Sequence, residues 1–436
     1  MTQSLSRRHL LALGAGASAP FVLSGCLSGN PTAAKTTQTG DKFSGEVEWW
    51  TINLQKNYAD YINSMIAGYT KQHPKVKINW VDVPGQDITT KLLAAIASGK
   101  VPDAVNYTST TLGLFASSMT DLSQLFSADE LGRYAAGLAD PLKAADGRRV
   151  AIPWYNGGTS LGFYNTDLLK KVSFDEADPP TTIDQAVTLA ERYHTATKKS
   201  AMNLIPSVTL LQSYGIEMLS ADKRTAAFNT AEAAAILEKF KPLYGSGAIA
   251  PGAISTDIRN LPQTLDNKRV AFSPMEISTN LLNIQKNAPD VYRAIAVAPP
   301  VTGTADRFIL PGQQVFGIPK ASGNQAAAAE WLKFVTSPEN QLAFCKLVAI
   351  YPSTSATLQD PFFTEISGTD PASEARKTLV QTFPHAVDGS LGSGNDEQLG
   401  LLFAAEVQAY LPGKKTAQQA LAAAEKSWNT ELSKEK

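Results

Sequence analysis

The sequence predicts an α/β protein with a mostly parallel sheet covered on both faces. Short stretches alternate apolar with polar residues, and between them run longer stretches with apolar residues at helical spacing. Proline and glycine mark the joins. At 436 residues, 43% hydrophobic and 18% charged, the chain can bury a large core, and two packed domains are expected. With 39 Lys and Arg against 40 Asp and Glu, the net charge of −1 provides no global basic field, so nucleic acid is not an expected partner. Cys26 and Cys345 are the only cysteines, which excludes a disulfide scaffold and a Cys-rich zinc site.

Taken in order, Ser6-Arg7-Arg8-His9-Leu10-Leu11 sets a twin-arginine pair before an apolar and small-residue run from Leu10 to Gly25, the pattern of an export signal. The run is shorter than the roughly 20 residues of a spanning helix, and Gly14, Gly16 and Pro20 weaken it as a helix. Leu23-Ser24-Gly25-Cys26 resembles the lipobox of bacterial lipoproteins. That resemblance implies removal of residues 1–25, lipidation of Cys26 and an extracytoplasmic protein anchored to the bacterial cell membrane. Loss of Arg7 and Arg8 with the leader takes the net charge to −3. Residues 26–42 then form a polar tether without periodicity, and the folded body starts near Phe43.

Val47-Glu48-Trp49-Trp50-Thr51, Val76 to Trp80 and Ala104 to Tyr107 read as three strands. Tyr58, Tyr61, Ile62, Met65, Ile66 and Tyr69 mark a helix between the first two. Ile88 to Ser98 is another, stopped by Gly99 before Pro102. The resulting βαβαβ unit is what implies parallel strands. Further strands are expected at Leu161–Tyr164, Arg269–Phe272, Arg293–Ala298 and Gln314–Ile318. Helices are expected from the Thr182-x-x-Gln185 capping box to about Tyr193, from Ala231 to Tyr244, after Ser337-Pro338-Glu339, and from Ala417 to Leu432.

Four segments together resemble the extracellular solute-binding family 1 of ABC importers, lobed receptors of the maltose and oligosaccharide type. They are Tyr69 to Ile78 continuing through Lys91 to Asp103, Gly147 to Pro153 followed by Phe163 to Leu169, Trp331 to Asn340, and Ile350 to Ser353. The resemblance implies a two-lobed type II periplasmic-binding-protein fold with a hinge and a ligand cleft between the lobes. It places residues 43–152 and 274–316 in an N-terminal lobe and 153–273 and 317–436 in a C-terminal lobe. It implies a monomeric receptor that delivers a carbohydrate to ABC permease subunits, needs no cofactor or metal, and carries out no catalysis.

Ligand contacts are expected from Trp50, out of phase with Val47 and Trp49 and so turned away from their side of the sheet, from Tyr107, where the resemblance implies an aromatic contact, and from Thr110 just beyond the third strand. A flat aromatic face suits the apolar C–H face of a pyranose. Trp154, Tyr155, Asn156 and Gly157 follow the first expected crossing strand, Met275 and Glu276 the second, and Gly312 and Gln313 precede the third. The resemblance implies that Tyr351, before Pro352, lies at the cleft rim. Replacing Trp154 by alanine is accordingly expected to weaken binding and leave the fold intact. Thr110 and Thr111 stand where maltose-type relatives carry an acidic and a basic residue, an argument against a maltodextrin.

An alternative within the fold is a receptor for glycerol phosphate or a glycerophosphodiester, which would need a helix N-terminus or a basic group such as Arg259, Arg293 or Arg307 in the cleft. Of a different class, Gly158-Thr159-Ser160-Leu161-Gly162 fits G-x-S-x-G, the nucleophile elbow of α/β hydrolases, and a polysaccharide hydrolase or lyase would need a carboxylate pair from residues such as Asp82, Asp87, Glu217 and Glu276, which no sequence feature singles out. The elbow motif requires a strand before it and a helix after it, whereas Phe163-Tyr164 looks like strand. No histidine pair has metal-site spacing, and Cys345, among Leu342, Phe344 and Val348, reads as a buried apolar residue.

Overall fold

The computed structural model describes residues 44–85, 87–144, 146–156, 160–255, 261–348 and 350–434. The leader, Cys26 and the tether lie outside them. The first half-lobe follows the expected alternation: β1 Gly45–Ile52, α1 Gln55–Gln72, β2 Val76–Val83, α2 Ile88–Ser98 and β3 Ala104–Thr108. Gly99 ends α2 in the left-handed conformation at φ 70°, the backbone geometry that lacks a Cβ penalty only in glycine. After short helical turns, β4 Ile152–Asn156 completes the set of strands that run in one direction.

The chain then leaves this sheet. β5 Ser160–Asn165 begins a second lobe, followed by α3 Ile183–Thr197, α4 Val208–Ser213, α5 Ala231–Glu238, β6 Phe272–Ile277 and β7 Ile295–Ala298. It returns through β8 Phe308–Leu310 and β9 Gln314–Gly317 to α6 Gln325–Val335, α7 Pro338–Leu347, β10 Tyr351–Pro352 and α8 Pro371–Thr382. A last crossing, β11 Ala386–Asp388, leads to α9 Asp396–Tyr410 and α10 Ala417–Leu432.

The large sheet has the order β10-β4-β9-β3-β1-β2, and the small one β6-β5-β7. β9 is antiparallel to both of its neighbours, and β5 is antiparallel to β6 and β7. β8 and β11 pair in parallel as a two-stranded link, Phe308 opposite Ala386 and Leu310 opposite Asp388. The fold is therefore α/β and two-lobed, as expected, but the lobe boundaries differ. Residues 153–156 belong to the first sheet, 274–298 lie in the second, and 317–352 return to the first. The reason is that β6 pairs with β5, and α6 buries Trp331 against Trp49 of β1, with ring centroids 5.1 Å apart at 78°.

Both faces of the large sheet are covered. Val47, Trp49, Trp154 and Phe316 pack with Tyr69 of α1 and Trp331 on one side. Trp50, Val105, Tyr107 and Val315 pack under Leu92 of α2 with Phe115 and Met119 on the other. In the second lobe, Tyr164 and Phe272 join Phe228, Phe403 and Trp428 in a core closed by α9 and α10. Fully burying such a side chain contributes on the order of 2–3 kcal/mol, so these clusters dominate the stability of each lobe.

Several local expectations are met in detail. Thr182 and Gln185 form the reciprocal capping box at the start of α3, and α10 spans Ala417 to Leu432. The helix expected over 231–244 instead breaks after Glu238 and resumes at Lys241, because Pro242 cannot donate a backbone hydrogen bond inside a continuous helix. The strand expected at 269–272 runs from Phe272 to Ile277, and Pro274 is tolerated because β6 is an edge strand. Cys345 is buried beside Tyr61, and burial pushes its thiol up to about 12, as suits an inert apolar residue.

Candidate ligand-binding cleft

The carboxyl ends of β1 and β3 and the first residue of β9 face the second lobe, and between them lies a cleft of about 560 Å³. Open sheets of this type bind ligands at that edge because loops diverge there and leave a crevice. The first-lobe wall is built by Thr108, Thr110 and Thr111, where the chain turns out of β3 into a short helical segment. Thr110 donates to the Thr108 hydroxyl over 3.0 Å, and Thr111 donates to the Thr108 carbonyl over 2.9 Å, so the three hydroxyls are held as a set. Thr89 from the start of α2 and Gln314 from β9 add polar groups. The Gln314 Oε1 atom is buried and accepts no hydrogen bond.

The opposite wall comes from Thr209 at the start of α4 and from residues 389–400 around the start of α9. Ser207 caps α4 by accepting from the Leu210 amide over 3.1 Å, which sets Thr209 in its first turn. Asp396 plays the larger organising role. Its carboxylate accepts from the amides of Leu391, Gly392 and Ser393 over 2.6, 3.2 and 2.9 Å and from the Ser393 hydroxyl over 2.6 Å. Four donors on one side chain clamp the loop that carries Ser390 and Leu391 into the cleft.

The lobes meet beside this loop. A Cβ placed on Gly113, in the helical turn after Thr111, would lie 2.2 Å from the Ser393 carbonyl oxygen and 2.5 Å from its carbon. Only glycine permits that approach of first-lobe backbone to second-lobe backbone. Gly312 sits at φ +137°, with its Cα side against the Thr110 methyl, and its carbonyl accepts from Asn156 Nδ2 over 3.3 Å.

Of the residues expected at the site, Thr110 lines the cleft, and Gly312 lies directly behind it. Asn156 is buried at the same sheet edge. Gly157 lies outside the described residues. Tyr155 remains half-buried beside Phe344, near Tyr58 and Asp82, but does not line the 560 Å³ cleft. The remaining aromatics are corrections. Trp50 is 5% exposed, donates from Nε1 to Glu48 over 2.6 Å and is covered by Lys91 of α2, whose Nζ lies 4.2 Å from the ring. Its opposite phase to Trp49 is real, but both faces of the sheet are buried. Tyr107 is fully buried against Phe115, and burial raises its phenol pKa. Trp154 is stacked on Phe316 at 4.4 Å. Tyr351 hydrogen-bonds Thr382 and packs on Phe383 inside the core.

The polar candidates are corrected in the same way. Gln313 donates from Nε2 to the Leu138 carbonyl over 2.7 Å and is buried, so its amide is committed to the fold. Glu276 accepts from Asn280 over 2.6 Å and from the Ile277 amide over 3.2 Å, and burial raises its carboxyl pKa. Met275 lines a separate, very small cavity with Ser160 and Tyr351. Ser160 starts strand β5, which denies the strand-turn-helix setting that a nucleophile elbow requires. Asp82 is occupied in accepting from Thr51 Oγ1 and the amides of Leu54 and Gln55. Among the described residues, no cluster of three or more His, Cys, Asp or Glu could hold a metal ion.

The sequence profile of the bacterial extracellular solute-binding proteins matches residues 55–342. The chain belongs to this family. A Synechococcus sp. MITs9220 protein, provisionally assigned as an oligosaccharide periplasmic-binding protein, is 25% identical with a TM-score of 0.76, over 89% of this chain and 99% of its own. The cyclic alpha-maltosyl-1,6-maltose binding protein of Arthrobacter globiformis is 22% identical with a TM-score of 0.75, over 90% and 100%. The sugar-binding protein MalE of Xanthomonas citri is 17% identical with a TM-score of 0.74, over 89% and 98%. Members of this family are binding proteins, and these likenesses establish the two-lobed fold. No helix among the described residues is long and apolar enough to cross a membrane.

Proposed function

We propose that the chain captures a neutral sugar or short oligosaccharide between its lobes and presents it, chemically unchanged, to the permease of an ABC importer. The supporting observation is the chemistry of the cleft. It is lined by the hydroxyls of Thr89, Thr108, Thr110, Thr111, Thr209 and Ser390 with the Gln314 amide, by the acidic residues Asp396 and Glu397, and by no lysine or arginine among the described residues. Hydroxyl and amide groups both donate and accept, which matches sugar hydroxyls. A phosphate would require a cation or a helix N-terminus; the lining holds no cation, but the first residues of α2 and α4 reach it, so the panel below decides between a sugar and the glycerol-phosphate alternative. Relatives of the same fold include receptors named for maltosyl sugars, in keeping with this class of cargo.

The cleft lining also holds no aromatic side chain among the described residues, so recognition rests on hydrogen bonds rather than on stacking. A thermal-shift panel of sugars, polyols and glycerol phosphates on the fragment beginning at residue 27 tests the reading. A melting-temperature rise with a neutral sugar is expected. A rise with glycerol phosphates alone would replace it with the phosphate alternative. With the sugar so identified, Gln314→Ala is expected to lower affinity roughly tenfold, the loss of about one hydrogen bond, and titration calorimetry measures it.

The twin-arginine leader and Leu23-Ser24-Gly25-Cys26 support export followed by lipid anchoring through Cys26. Cys26→Ser is expected to move the protein from the membrane fraction to the soluble extracytoplasmic fraction. Retention in the membrane would remove the lipid anchor from the account.

A further inference from the structure

β1, β2 and β3 run in parallel, so their first residues share one edge of the large sheet, the edge opposite the cleft. A strand as long as β1, Gly45–Ile52, spans roughly 25 Å, which separates the two edges. Lysines collect at the far edge. Lys71 lies in the last turn of α1, Lys75 and Lys77 flank Val76 at the start of β2, and Lys100 follows the Gly99 stop of α2. Lys320 stands just beyond β9, whose last residue Gly317 lies opposite Val105 at the start of β3. All five are exposed. Lys77 pairs with Glu46 over 3.1 Å and Lys320 donates to the Ser117 carbonyl over 2.8 Å, whereas Lys71, Lys75 and Lys100 form no ion pair among the described residues. The nearby Asp103 carboxylate is buried and already accepts from the Glu48 amide and the Ser322 hydroxyl. A chain with a net charge of −1 thus concentrates positive charge at one end of its first lobe.

The same edge is where the folded body takes over from the residues that lead to Cys26. Gly45 starts β1, and its amide donates to the Lys75 carbonyl over 2.9 Å, so the chain enters among the lysines. Residues 27–44 separate Cys26 from Gly45 and reach at most about 60 Å. They add Lys35 and Lys42 against Asp41. Lysines attract an anionic bilayer weakly, and only within about one Debye length, roughly 8–10 Å. A lipid on Cys26 holds the body near enough for them to act, and an acyl anchor combined with a basic surface is a pairing that binds membranes stably.

We propose that this edge of the first lobe is a membrane-facing surface, which rests on anionic phospholipid headgroups beside the lipid anchor and turns the cleft away from the bilayer. The proposal rests on the anchoring reading above. Presentation of cargo to a permease in the same membrane then requires the body to lift and turn about its anchor. The test supplies the lipid chemically. Cys345, the other cysteine, is buried and its thiol is pushed up to about 12, so the chain from residue 26 onward couples to a maleimide-bearing lipid through Cys26 alone. Lysine acetylation is then read by mass spectrometry on bilayers of phosphatidylcholine with and without phosphatidylglycerol. Lys71, Lys75 and Lys100 are expected to react roughly threefold or more slowly on the phosphatidylglycerol bilayer, with the second-lobe residues Lys171 and Lys426 unchanged, and about 0.5 M salt should abolish the difference. Lys71→Glu, Lys75→Glu and Lys100→Glu together should also expose Lys77 and Lys320 to reaction, without changing sugar affinity or melting temperature. Equal rates on both bilayers, or protection confined to second-lobe lysines, would overturn the proposal. So would protection of the same lysines by soluble polyphosphate with none on the bilayer, the mark of a site for a different anion. Because the lipid is supplied, absence of protection condemns the surface and leaves the anchor standing, whereas retention of Cys26→Ser in the membrane condemns the anchor.

Discussion

Gly113→Val is expected to weaken sugar binding by about tenfold to a hundredfold while barely changing the melting temperature of the ligand-free protein. The backbone of residue 113 lies against the Ser393 carbonyl of the other lobe, and a Cβ there would stand 2.2 Å from its oxygen. Neither group is a flexible side-chain end, so the lobes themselves must separate. A ligand held by Thr108, Thr110 and Thr111 on one wall and Thr209 and Ser390 on the other would then lose one wall. Two hydrogen bonds at about 1 kcal/mol each correspond to a loss between tenfold and a hundredfold. Small-angle scattering should show the liganded variant remaining as extended as the ligand-free one. Gly113→Ala should fall between the two. Wild-type affinity in Gly113→Val would show that this contact takes no part in closure.

Trp154→Ala is expected to lower stability by about 3–5 kcal/mol, the range for emptying a buried indole site. Its ring is 2% exposed, stacks on Phe316 at 4.4 Å and lies 6.0 Å from Trp49. A melting temperature lower by on the order of 10 °C follows for a lobe of this size. This reverses what position in the sequence suggests, a binding defect with an intact fold. A variant that melts like the wild type but binds sugar weakly would restore the indole to the cleft.

The difference between these readings shows what the sequence can and cannot specify. Elements with local signals were legible: the Thr182–Gln185 capping box, the Gly99 stop, the βαβαβ alternation and the alanine-rich final helix all have causes within a few residues of themselves. Aromatics at the ends of strands were not, because a large ring after a strand reads the same whether it meets a ligand or a helix arriving from elsewhere in the chain. Trp154 is buried by Phe316 and Phe344, and Trp50 by Lys91, and nothing near residue 50 or 154 announces those partners.

The cleft itself shows the same limit. Gln313 and Gln314 are adjacent amides on one strand entry, and only the Leu138 carbonyl, which takes the Gln313 amide, leaves Gln314 for the cleft. The run Gly389-Ser390-Leu391-Gly392-Ser393-Gly394-Asn395 before Asp396-Glu397 did carry a local signal, a small-residue loop leading into a helix start with Asn395 as cap. It marks the second wall of the cleft. The threonines after β3 were available too: Thr108, Thr110 and Thr111 line the cleft, whereas the rings around them do not.

The place of β9 in the large sheet has a consequence for how the molecule comes into being. It fills the slot between β3 and β4, with Asn106 reaching Val315 across 209 positions of chain. Until that late strand emerges from the ribosome, the nascent first lobe holds an open seam at its centre, bordered by two strands with unpaired backbone groups. Such inner edges are the templates on which unwanted strand pairing starts. The first lobe therefore cannot finish folding during synthesis of its own early segments, and the second cannot close before its terminal helix arrives. The period of greatest vulnerability to aggregation thus lasts at least until β9, Gln314–Gly317, is made, and it is set by topology rather than by the hydrophobicity of any one segment.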